Sequence, residues 1–167
     1  MTSHRDPESA ALIAFLDAQR GSVLAIVAGL DDDALRAPLL PSGWTPLGLI
    51  QHLAFAERHW FQRVASGSVP PTWAGDGDEG SDGPFRTNQS TANVIAFYRE
   101  QCAIGNALLA AEPLSSAPLG RHPGDDDNEV TDLRWIALHM IEETARHAGH
   151  LDAARELLDG QTGLGPR

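Results

Sequence analysis

The sequence contains no lysine, and all twelve of its basic residues are arginine. That absence removes lysine-based phosphate loops, Schiff-base chemistry and lysine general bases. The single cysteine, Cys102, can form neither an intrachain disulfide nor a thiolate zinc cage. A cytoplasmic location is the expectation that follows. No run of about 18 apolar residues occurs, so no membrane-spanning helix and no membrane partner are expected. The short apolar stretch 10–16 follows Asp6 and Glu8 rather than a basic segment, and no signal peptide is read there. Positive charge is scarce too, with 12 basic against 23 acidic side chains and a formal net charge of −11. Without a local basic stripe, nucleic acid is not an expected partner.

What is present suits one domain over residues 1–167 with short tails, because 42% of the chain is hydrophobic. No segment shows the alternating β-branched pattern of strands, whereas four segments show helical periodicity. The first spans about residues 7–30, with Leu12, Ile13, Leu16, Val23, Ile26 and Val27 at three- and four-residue steps. The second starts at an N-cap, Thr45, followed by Pro46, and runs to about Ser66 through Leu47, Ile50, Leu53, Trp60, Phe61 and Val64. The third covers about residues 90–111, with Val94, Ile95, Phe97, Ile104, Leu108 and Leu109 as core candidates. The fourth begins at an expected N-cap, Thr131, and ends at Gly160. The predicted fold is an all-α four-helix bundle. The long polar connection 67–89 leaves room for a crossover between the second and third helices. The acidic runs 76–82 and 125–127 do not fit a calcium-binding EF-hand loop and read as solvated loop.

Three of the seven histidines fall in the last helix, in the string His139-Met-Ile-Glu-Glu-Thr-Ala-Arg-His147-Ala-Gly-His150. Glu143 and His147 differ by about 40° around the helix and about 6 Å along it, so both can converge on one ion. His139 and His147 are about 12 Å apart along the axis and cannot share it. The Glu143/His147 pair flanks the apolar stripe, where a carboxylate and an imidazole are costly unless they bind something. An isolated pair at this spacing is also common by chance on acidic helices. A third ligand must come from another helix: His52 in the second helix is the best candidate, with His59 about 10 Å away as its rival. Three N/O ligands without a fourth describe an open site of the catalytic kind.

The stretch Gly43-Trp-Thr-Pro-Leu-Gly-Leu-Ile-Gln-His52-Leu-Ala-Phe-Ala-Glu57-Arg-His-Trp60, together with residues 133–152, resembles the DinB-like/YfiT-like superfamily. More narrowly it resembles the actinobacterial branch of mycothiol S-transferases, with the mycothiol-dependent maleylpyruvate isomerase as a relative. The resemblance covers nearly the whole chain. It implies a four-helix bundle holding a divalent metal through His52, Glu143 and His147. The commoner pattern of that superfamily has histidine at the first of the two last-helix positions. The glutamate found here is similar to the isomerase branch and bears on metal preference.

The resemblance further implies a transferase in which a divalent ion, zinc or nickel first, activates a low-molecular-weight thiol such as mycothiol for attack on a small electrophile. Candidate supporting residues are Glu57 and Asp152, orienting imidazoles or the cofactor, and Arg146, meeting an anionic substrate group. His150 is a candidate base, or a ligand in place of Glu143. Trp44 and Trp60 are candidates for the pocket wall, although core or boundary packing is the role first expected of both. Cys102 sits among apolar neighbours and reads as structural. The alternatives are a metal-dependent hydrolase or isomerase of a small molecule, and a non-catalytic, stress-induced ligand-binding bundle. A homodimer is the expected assembly if apolar helix faces stay exposed.

Overall fold

The computed structural model describes residues 6–77, 85–124 and 129–163. Asp76 and Gly77 are therefore in view, while the rest of the first acidic run, residues 125–127 and the terminal tails lie outside the described residues. Among the described residues every regular element is helical: α1 (Pro7–Val27), α2 (Asp32–Leu35), α3 (Pro46–Glu57), α4 (Thr91–Ala111) and α5 (Leu133–Asp159). A π-helical segment, Arg58–Ala65, continues α3 without a break. Its wide turn closes where the Ser66 N–H donates to the Phe61 carbonyl, five residues back.

Local signals set the helix ends. The Thr45 hydroxyl accepts the Gly48 N–H at 3.1 Å and Pro46 takes the first helical position, as expected for the start of α3. Gly160, at φ 75°, stops α5 in the left-handed region. The start of α5 corrects the reading above: the N-cap is Asp132, not Thr131. Its carboxylate accepts the Trp135 N–H at 2.9 Å, and a negative charge is favoured at a helix N-terminus.

The long helices pair unequally, α1 mainly with α5 and α3 mainly with α4. The second and third long helices are packed neighbours that run parallel, since Leu47 shares one lobe with Phe97 and Phe61 the other with Leu109, so the chain returns the length of the bundle between Ser66 and Thr91, the crossover anticipated. Helices α1 and α3, and likewise α4 and α5, share no major interface, and residues 28–45 and 112–132 cross between them at the bundle ends.

The core is two apolar lobes. One gathers Val23, Ile26, Leu47, Ile50, Leu53 and Phe97, and the other gathers Leu16, Phe61, Val64, Leu109, Ile136 and Met140. Ile104, expected inside, lies 37% exposed on the outer face of α4. Between the lobes each long helix contributes one buried polar residue, namely Arg20, Glu57, Gln101 and Thr144. Arg20 donates to both Glu57 oxygens, through Nε at 2.7 Å and Nη2 at 2.6 Å, and to Asn106 at 2.6 Å. This bidentate pair ties α1 to the end of α3 through the centre of the fold.

By length and composition alone, α1 is apolar enough to cross a bilayer, which the absence of one continuous apolar run had not suggested. In the fold its Leu16, Val23 and Ile26 are buried in the bundle and its Arg20 is paired there.

Candidate metal centre

His52, on the second turn of α3, faces Glu143 and His147, one turn apart in the middle of α5. The Nε2 atoms of His52 and His147 lie 3.2 and 3.0 Å from the same oxygen, Glu143 Oε1. All three donor atoms lie within 4.8 Å of one another. Donors about 2.0 to 2.1 Å from a tetrahedral ion stand about 3.4 Å apart. The observed spacing therefore suits one small divalent cation with little rearrangement. Hydrogen bonds from His147 and then His52 hold the Glu143 carboxyl well below the usual carboxylate range, against the opposing effect of burial. The oxygen is an anion at neutral pH, as a cation ligand must be.

The surroundings fix the rings. Phe85 stacks on His52 with centroids 3.9 Å apart and planes 18° from parallel, and meets His147 edge-on at 5.9 Å. Phe85 reaches this place because Gly48 leaves room for its backbone. A Cβ at Gly48 would sit 2.1 Å from the Phe85 carbonyl oxygen, which accepts the Thr45 N–H at 3.0 Å. Nothing in the sequence marked this loop phenylalanine, since its partner lies 33 positions away on another element.

The other candidates divide into those near the cluster and those away from it. His150 places Nδ1 3.4 Å from His147 Nδ1, behind the ligand rather than in the position of Glu143. Burial, followed by the charges of His147 and Arg146, holds His150 below the usual histidine value, so it is neutral at pH 7. Trp44 lies 6.4 Å from the His150 ring. Arg146 is exposed at this rim and acts on His150 by charge. Asp152 is half-buried, and its Oδ1 is buried with no hydrogen-bond partner, so no such bond ties it to the ligands.

Glu57 is not at the cluster. Arg20 occupies both its oxygens, which leaves the carboxylate no means of orienting an imidazole here. Trp60 is also elsewhere, packed with His122, Trp135 and His139. His59, the rival ligand, pairs with His122 at 2.8 Å and does not join the donor set. Burial pushes the Cys102 thiol up to about 12, which makes it a poor nucleophile and fits a structural role.

Comparison with protein-family models gives a match over residues 11–160 to the model described as mycothiol-S-transferase. No curated protein matches the chain.

Proposed function

Because the chain belongs to the mycothiol-S-transferase family, we propose that it transfers a low-molecular-weight thiol, mycothiol, to a small electrophile at the cluster of His52, Glu143 and His147. The observation that carries this reading is the convergence of three donors from two helices on one point, with no fourth protein ligand among the described residues. A divalent ion bound there, zinc or nickel, would supply the positive charge that lowers the pKa of a thiol and leaves nucleophile available at neutral pH.

The chain's own residues account for the remaining requirements. His52 and His147 present Nε2, and Glu143 adds the negative charge that makes the donor set selective for a cation. With Nε2 engaged, the Nδ1 proton of His147 would point to His150, which fixes the ring and its tautomer. Neutral His150 then has its acceptor nitrogen engaged by His147 and its other nitrogen protonated, so its role is to orient the ligand, and the proton that the thiol loses passes to solvent at the exposed rim. Phe85 covers one face of His52 and limits water there. Trp44 and Arg146 stand where a larger thiol with an anionic group would pass. The new carbon–sulfur bond forms as the haloalkane's leaving group departs, as the epoxide ring opens or, with a quinone, as the carbon–carbon π pair moves onto the carbonyl oxygen, which takes up a proton from solvent.

The test is thiol consumption by zinc- or nickel-loaded protein with an epoxide, a haloalkane or a quinone. Turnover should require the thiol, and His52→Ala or His147→Ala should lower both turnover and metal affinity by more than the roughly 10- to 100-fold typical of losing an outer-shell partner. Turnover without thiol would replace this reading with a hydrolase or isomerase. Protein that neither takes up metal nor turns over would leave a non-catalytic bundle.

A further inference from the structure

The seam between α3 with its π segment and α5 carries a second tier of imidazoles. His59 lies seven residues beyond His52, and His139 lies four residues before Glu143. His139 lines, with Trp60, Trp135 and His122, an open cleft of about 330 Å3 that has Glu129 and Gly124 at its edge, and His59 lies behind it in contact with His122. Its size falls at the lower end of small-molecule pockets, roughly 300 to 1,000 Å3.

The rings in this cleft are ordered. His122 stacks on Trp60 at 4.7 Å and 17°, His139 stacks on Trp135 at 5.2 Å and 12°, and the two indoles meet at 5.5 Å. The His59–His122 contact at 2.8 Å fixes the orientation of His122. Trp135 and His139 are only half-buried, so their rings border open space instead of filling the core. A second metal site fits less well. Among the described residues, the one set of three donors within coordinating reach is His52, Glu143 and His147. The lining supplies flat π faces and imidazole edges, and these recognise a flat ring with a polar atom on its rim.

We propose that this cleft binds a planar aromatic molecule carrying a hydroxyl or carbonyl oxygen, as the seat for the electrophile of the thiol-transfer reaction. The role of electrophile seat rests on the function proposed above, whereas the binding itself does not. The half-buried indole of Trp135 takes the ring, with the buried Trp60 behind it, and the imidazole edges of His122 and His139 take the oxygen. Burial holds His139 below its usual value, so its ring is uncharged at neutral pH and has both a donor and an acceptor nitrogen.

The experiment is calorimetric titration of the full chain with 2-naphthol, which has the ring and the oxygen but no electrophilic centre, and with cyclohexanol as the non-planar control. Binding of 2-naphthol alone is expected, weakened about ten-fold or more in Trp135→Leu, largely kept in Trp135→Phe and unchanged in His52→Ala. The retained binding of Trp135→Phe guards against a folding defect in the leucine variant. Equal binding of cyclohexanol, no binding of 2-naphthol, or loss in His52→Ala with Trp135→Leu unaffected would each overturn the proposal. In turnover, Trp135→Leu should raise KM for a naphthoquinone and leave KM for a small epoxide unchanged. Thiol transfer to both acceptors with no effect of Trp135→Leu would remove the seat and spare the function. Binding of 2-naphthol at Trp135 without any thiol transfer would do the reverse.

Discussion

Arg20 and Glu57 show how a single residue can mislead when read along the chain alone. Glu57 follows His52 at a helical spacing that suits a supporting carboxylate, yet its partner is a guanidinium 37 positions earlier. Sequence spacing carries no information about that pairing. Removing Glu57 leaves buried Arg20 with the half-exposed Asp17 as its remaining counter-ion, so Glu57→Gln should cost about 3 kcal/mol in urea unfolding, the lower end for breaking a buried pair. The double variant Arg20→Met/Glu57→Leu should recover most of that loss, because an apolar pair of similar volume avoids desolvating any charge. His59 gives a pH signature. Burial first, then the charges of His122, Arg63 and His139, depress it to about 4 from an unfolded value near 6.5. Between those limits the unfolded chain binds the extra proton, so stability is lost as pH falls from 6.5 toward 4. In His59→Gln the stability-against-pH curve should be flatter across that window. By contrast, the donor residues were legible in the sequence, since Glu143 and His147 belong to one helix whose geometry fixes their separation. Choosing His52 over His59 needed more than spacing, and the structure brings His52, not His59, to the other two.

At the scale of elements, the start of α3 is where local sequence and site meet. Thr45 and Pro46 start the helix, and Gly48 admits the loop that carries Phe85. Gly48→Ala should force that backbone away, lowering stability by about 1 to 3 kcal/mol as overpacking does. Weaker metal binding should accompany the lower melting temperature, because His52 loses its stacking partner. The long helices were readable from apolar periodicity and caps, within a few residues. The π turn after Glu57 was not, since residues 58–65 keep a helical apolar pattern and nothing local announces the five-residue hydrogen bond. The four-residue α2 was also missed, being too short to show any period, though Asp31 caps it by accepting the Ala34 N–H at 2.8 Å.

For the whole molecule, the order in which helices neighbour one another was the least legible feature. The long connection between the second and third helices announced the crossover, but loop length does not say which helices then become neighbours, and the partner of each apolar face is a property of the assembled core. That assembly places His52 and Glu143 on different helices, 91 positions apart in sequence and 3.2 Å apart in space. Metal binding to such a site is coupled to the fold. Zinc at about 100 times its Kd should add about 2.7 kcal/mol and raise the melting temperature by roughly 5 to 10 °C. His147→Ala should show no such rise.

The aromatic rings nearest the donors come from connections, Phe85 from the stretch before α4 and Trp44 from the stretch before α3, while the donors themselves sit on helices. Coordination and discrimination therefore reside on separately mutable parts of the chain. Relatives could drift in what they admit by exchanging the stretch around Trp44, leaving Phe85 and the three donor side chains as they are.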